Sequence, residues 1–104
     1  MSDLRGKQKH YLRAQAHNMT PIFSVGKNGL SKIWLDQLTD AIEKRELFKI
    51  SIQQTADVDV DDVKKYVENN SRIEIVQTIG RTLVLYKRSD NPENREFSTE
   101  VEAI

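Results

Sequence analysis

Residues 25–30 read Val-Gly-Lys-Asn-Gly-Leu, a Gly-x-x-Gly loop with a lysine inside it. The extended apolar run Pro21-Ile22-Phe23-Ser24-Val25 precedes it and a helical pattern follows it. The junction therefore calls for a strand, a sharp turn and a helix, in that order. Glycines three apart let the backbone turn and leave its amides uncovered by side chains. A helix start adds N–H donors that lack intrahelical partners, together with a partial positive charge. Lys27 adds a full charge. Such a turn suits a phosphate. Without the Gly-Lys-Ser/Thr continuation of a nucleotide-binding loop, it suits a phosphate of a nucleic acid better than that of ATP. Loops of this form do clamp nucleic-acid backbone.

With 104 residues, one domain with one modest core is expected. The chain has no cysteine, which excludes disulfides and thiolate metal sites. It has no apolar run of membrane-spanning length and no apolar leader, so a soluble, cytoplasmic protein is expected. Sixteen basic residues balance sixteen acidic ones, but the signs are segregated. Residues 1–34 carry Arg5, Lys7, Lys9, Arg13, Lys27 and Lys32 against Asp3 alone, and residues 80–88 carry Arg81, Lys87 and Arg88 with no acid. Negative charge gathers at Asp57, Asp59, Asp61 and Asp62 and after Ser89. A chain of zero net charge can thus present one basic face to a polyanion.

Periodicity places a helix over Asp3–His17, with Leu4, Tyr11, Leu12 and Ala16 on one side. Arg5, Lys9 and Arg13, spaced four apart, form a cationic stripe on another. The second helix spans Ser31–Arg45, with Ser31 as its cap and Trp34 in the core. Leu47–Gln53 alternates Phe48, Ile50 and Ile52 with Lys49, Ser51 and Gln53, the signature of a half-buried strand. A third helix covers Asp57–Asn70. Its aspartates can be compared with a calcium loop, since Asp57, Asp59, Asp61 and Glu68 fall at positions one, three, five and twelve. Position six, however, is Asp62 where such a loop needs glycine, so helix capping is expected and a metal is not. Arg72–Ile79 and Thr82–Tyr86 flank the Gly80-Arg81 turn signal of a β-hairpin. Residues 89–104 are expected to be an acidic, flexible tail appended to a domain of residues 1–88.

Catalytic signatures are missing. His10 and His17 have no acid or serine at metal or nucleophile spacing, and no dinucleotide fingerprint or nucleophile elbow occurs. No enzyme activity and no cofactor are expected.

Four blocks in register carry a resemblance over roughly residues 4–88. They are Lys7-Gln8 with Leu12-Arg13 and Ala16-His17; Pro21-Ile22 leading into Val25 through Leu30; Glu46-Leu47-Phe48-Lys49-Ile50; and Ile79 through Lys87. Together they resemble the CRM domain, named for chloroplast RNA splicing and ribosome maturation, and within it the free-standing bacterial YhbY-like proteins. The resemblance implies an α/β two-layer sandwich of order α-β-α-β-α-β-β with a mixed four-stranded sheet, similar to the C-terminal domain of translation initiation factor 3. There the last strand lies inside the sheet, antiparallel to the others. The resemblance also implies binding of structured RNA, with precursors of the large ribosomal subunit as partner. It carries RNA contacts to Gly26, Lys27, Asn28 and Gly29 and to Arg13, Lys49, Arg81 and Lys87. Charge alone adds Arg5, Lys9 and Lys32. The alternative reading is a module that touches ribosomal proteins without direct RNA contact.

Overall fold

The structure, a computed structural model, describes residues 4–104. The element order is α1 (Gly6–Ala16), β1 (Phe23–Val25), α2 (Lys32–Arg45), β2 (Leu47–Ile52), α3 (Val60–Asn70), β3 (Glu74–Ile79), β4 (Thr82–Tyr86), a 3-10 turn (Pro92–Asn94) and α4 (Phe97–Ala103). Each expected helix and strand through residue 86 is present. Asp3, placed at the start of the first helix, lies outside the described residues.

Local chemistry sets the boundaries. The Ser31 hydroxyl accepts from Trp34 N–H at 3.1 Å and starts α2. Asp59 and Asp62 cap α3 reciprocally, each carboxylate accepting the other's backbone N–H at 2.8 and 3.1 Å. These aspartates thus serve the helix start. Gly80, with φ +56°, opens the two-residue turn between β3 and β4, where a side chain would be strained.

The strand order is β1-β2-β4-β3. β1 and β2 are parallel across the α2 crossover, and β4 is antiparallel to both its neighbours, β2 and β3. A strand between two others buries both faces, which explains the unbroken Leu83-Val84-Leu85-Tyr86 run. Leu83 and Leu85 join Val25, Phe48, Ile50, Ile52 and the inner faces of α2 and α3 in one core. Val84 and Tyr86 face the other way, into a second cluster with Leu47, Val76, Leu12, Ala16 and Val101.

That second cluster corrects two expectations. Helices cover both sheet faces, α2 and α3 on one and α1 and α4 on the other, so the layering is helix–sheet–helix and not two-layered. The C-terminal segment is also not a loose tail: α4 buries Ser98 and Val101 against α1 and the sheet. Acidic composition suggested a solvated tail, but a single carboxylate upstream organises it. Glu46, the lone residue between α2 and β2, is fully buried with φ +62°. Its carboxylate accepts from the N–H groups of Ser89 (2.8 Å), Glu96 (2.7 Å) and Ser98 (3.1 Å) and from the Ser98 hydroxyl (2.6 Å). Burial pushes the Glu46 pKa up, but these four donors outweigh it and hold the carboxyl below the usual glutamate range. Burial, and next the Glu46 charge, push the neighbouring Tyr86 phenol up to about 12, so it stays neutral.

Trp34 is half-buried against the first core, and its indole N–H donates to Ser24 C=O at 3.1 Å. It therefore ties α2 to the strand that leads into the glycine loop. Trp34→Phe, which loses this bond and part of the ring, is expected to cost about 1–2 kcal/mol, a fall in melting temperature of roughly 4–12 °C. An unshifted thermal transition would show the bond to be dispensable.

Candidate nucleic-acid interface

The Gly26–Gly29 loop is a closed turn, with Gly29 N–H donating to Gly26 C=O at 2.9 Å. Gly29 has φ +68°, which a side chain would strain, and it leads through Leu30 to the Ser31 cap. Two residues thus separate the turn from the helix, and the Gly29 and Trp34 amides are already used by the turn and the cap. Lys27 and Asn28 stand exposed at the tip. Gly26 needs its missing side chain for a different reason: a Cβ there would lie 3.2 Å from Gln53 Oε1.

Gln53 is the hinge of this corner. Its N–H donates to Val25 C=O at 2.9 Å and its side-chain amide to Ser24 Oγ at 3.0 Å. Arg81, from the β3–β4 turn, donates through Nε to Ile52 C=O (3.0 Å) and through its terminal nitrogen to Gln53 C=O (2.7 Å). Two guanidinium donors therefore anchor Arg81 beside the strand end that carries the glycine loop, while the residue stays exposed. Lys27 and Arg81, far apart in sequence, share one end of the sheet.

Arg13 and Lys49 meet on the α1 side of the sheet. With His10, Ala14, His17, Gln77 and Ile79 they line a groove of about 430 Å³ that contains no carboxylate among its described lining residues. Lys49 Nζ donates to His17 C=O at 3.3 Å, which braces the end of α1 against β2. His17 is the C-terminal cap residue of α1.

Other expected contacts are placed differently. The Arg5 guanidinium donates to the C-terminal Ile104 oxygen, and α4 covers that end of α1, with Gln8 Nε2 donating to Val101 C=O at 2.8 Å. The Arg5–Lys9–Arg13 stripe is thus split, Arg5 being engaged by the chain's own terminus. Lys87 is turned inward: its side chain is 13 % exposed and its ammonium sits 2.7 Å from Glu43 Oε1 and 3.4 Å from Asp90 Oδ1. It locks the C-terminal segment to α2 and does not join the basic face. Lys32 is exposed and pairs with Asp36 one turn along α2 at 3.2 Å. Lys9 is partly buried on α1. Sequence reasoning missed His10, Gln77 and Ile79 in the groove. Alternation from Ile73 and Ile75 puts Gln77 and Ile79 on the inward face; a register shift between Ile75 and Gln77, which period two does not show, turns them toward α1 instead.

No group of three or more His, Cys, Asp or Glu residues among the described residues is placed to hold a metal ion. No helix among them is long and apolar enough to cross a membrane.

A mixed four-stranded sheet with an antiparallel inner strand, helices on both faces and a Gly-x-x-Gly turn at its parallel end defines a compact α/β class of small domain. The CRS1/YhbY (CRM) domain family model matches residues 4–87, and the chain belongs to that family. It is 47 % identical over 94 residues to the "Probable RNA-binding protein YqeI" of Bacillus subtilis, covering 90 % of this chain and 96 % of the relative. It is 31 % identical over 90 residues to an "RNA-binding protein" of Haemophilus influenzae, covering 86 % and 91 %. The solution structure of SAV1595 from Staphylococcus aureus is similar at a TM-score of 0.70 and 39 % identity, over 89 % of this chain and 97 % of that one.

Proposed function

We propose that this chain binds RNA, and that its target is ribosomal RNA in a precursor of the large ribosomal subunit. The observation that carries RNA binding is the convergence of cations at one end of the sheet. Lys27 projects from a closed glycine turn, Arg81 is anchored beside it, and Arg13 and Lys49 line an adjoining groove with no carboxylate among its described lining residues. Cations from four separate elements on one side give a polyanion several phosphates to engage at once. Relatives named as RNA-binding proteins make RNA the polyanion of choice. The ribosomal target rests on the YhbY-like resemblance. The proposed role is binding during assembly and not chemistry on the RNA.

If about four to six phosphates are neutralised, log affinity falls with log salt at a slope of roughly −3 to −5. Lys27→Ala is expected to make that slope shallower by about one phosphate's worth while leaving the melting temperature unchanged, since Lys27 is exposed on the turn. A binding curve indifferent to salt would remove the mechanism. Crosslinking in cells followed by sequencing of the attached RNA tests the target: recovery of RNAs other than large-subunit precursors overturns the ribosomal assignment. Absence of any shift of ribosomal RNA fragments below ~10 µM at low salt, near ordinary non-specific affinity, favours the protein-interaction alternative.

A further inference from the structure

The strand register draws a row across all four strands: Ser24 pairs with Ser51, Ser51 with Thr82, and Thr82 with Ile79. Their chain neighbours Val25, Ile50, Ile52 and Leu83 enter the core under α2 and α3. Alternation along a strand therefore points the row to the opposite face, the side that carries α1 and α4. Those helices cover only the far part of that face, over Leu47, Val76, Val84 and Tyr86. The row lies beyond them. Ser24 is exposed, Ser51 and Thr82 are half-buried, and Ile79 is 52 % exposed. Beside the row run Lys49 and Gln77, both opposite Val84, with Arg13 on the flanking helix edge.

We infer that this open half of the sheet is a docking platform for the ribose–phosphate backbone of double-stranded RNA, and that it selects RNA over DNA through the 2′-hydroxyl. The inference rests on the RNA-binding reading and specifies its ligand. With strands about 4.8 Å apart, the row spans roughly 14 Å, room for more than one nucleotide. Its hydroxyls and the Gln77 amide both donate and accept hydrogen bonds, as a 2′-hydroxyl does. Arg13 and Lys49 supply the charge complement for the phosphates, with no carboxylate among the described groove residues. The row, Lys49 and Gln77 offer hydroxyls, an amide and a charge but no ring, and the imidazoles of His10 and His17 stand only on the flanking helix, so the platform suits the wide, shallow minor groove of a duplex better than a splayed single strand.

The test measures binding of the full chain to an RNA duplex, a DNA duplex of the same sequence and an unstructured RNA strand at one low salt concentration. The wild type is expected to favour the RNA duplex over each of the others by about tenfold, roughly the worth of one or two hydrogen bonds. Ser51→Ala/Thr82→Val is expected to bring RNA-duplex affinity down to the DNA value and leave the DNA value unchanged. Lys27→Ala should weaken both duplexes equally. Should the double variant fail to fold, Thr82→Val alone is expected to halve the RNA preference or better without touching DNA binding. An RNA preference that survives these changes, or one for the unpaired strand, overturns the inference alone. Equal wild-type affinity for the RNA and DNA duplexes does the same and leaves RNA binding standing, whereas no binding to any of the three removes both.

Discussion

Glu46→Ala is expected to lower the melting temperature by roughly 15 °C, the consequence of about 3 kcal/mol lost in a domain of this size. The side chain is fully buried and serves four donors at once. Its removal leaves the amides of Ser89, Glu96 and Ser98 and the Ser98 hydroxyl without their acceptor, and an orphaned buried donor costs about 1–3 kcal/mol. The sum is capped because α4 can detach and let water reach these groups. Amide exchange of Ser98 and Val101 should accelerate far more than that of Leu83 or Ile50. A variant with the wild-type transition and a protected Ser98 amide would rule out the anchoring role.

The same group carries a pH dependence. Its carboxyl is held below its ordinary value in the folded chain, so the unfolded state takes up the proton first. The stabilisation is complete above the unfolded glutamate range and is lost as the pH falls through the lower folded value. The gap in melting temperature between wild type and Glu46→Gln should therefore narrow as the pH drops below that range. A gap that widens on acidification would contradict the assignment.

Arg13→Ala/Lys49→Ala is expected to weaken RNA binding about a hundredfold at moderate salt, at roughly one decade for each phosphate left without its cation. The salt slope should become shallower by about two phosphates' worth. The two cations lie on different elements, α1 and β2, and meet only in the groove. Lys87→Ala makes the contrast. Because Lys87 is engaged by Glu43 and Asp90 at the base of the C-terminal segment, its loss should show in thermal stability and leave the salt slope alone. If Lys87→Ala flattened the slope and the double variant did not, the basic face would have to be redrawn.

Much of the fold is legible in the linear chain. Phe48, Ile50 and Ile52 alternate with Lys49, Ser51 and Gln53, so the buried and open faces of β2 follow from period two alone. The aspartates before α3 read as a cap because their valines keep helical period, and Asp59 and Asp62 form that cap. Gly80 marks its own turn. The C-terminal segment defeats such reading because composition averages over residues. Five acids outvote Phe97 and Val101, which bury against α1, and nothing local shows that Glu46, fifty residues upstream, binds the backbone of residues 89–98. Lys87 misleads for a related reason: a lysine after a strand reads as surface until Glu43 appears beside it.

The linear chain determined by itself the elements through residue 86, their order, the glycine turn and the segregation of charge, because capping, periodicity and backbone freedom act over a few residues. Tertiary packing alone decided that the first and last helices cover part of one sheet face and leave the rest open, and which cations meet there. Those outcomes depend on hydrogen bonds and packing between groups as distant as Glu46 and Ser98, or Arg13 and Lys49. Such pairings are set by the geometry of the assembled four-stranded sheet, which no local pattern encodes.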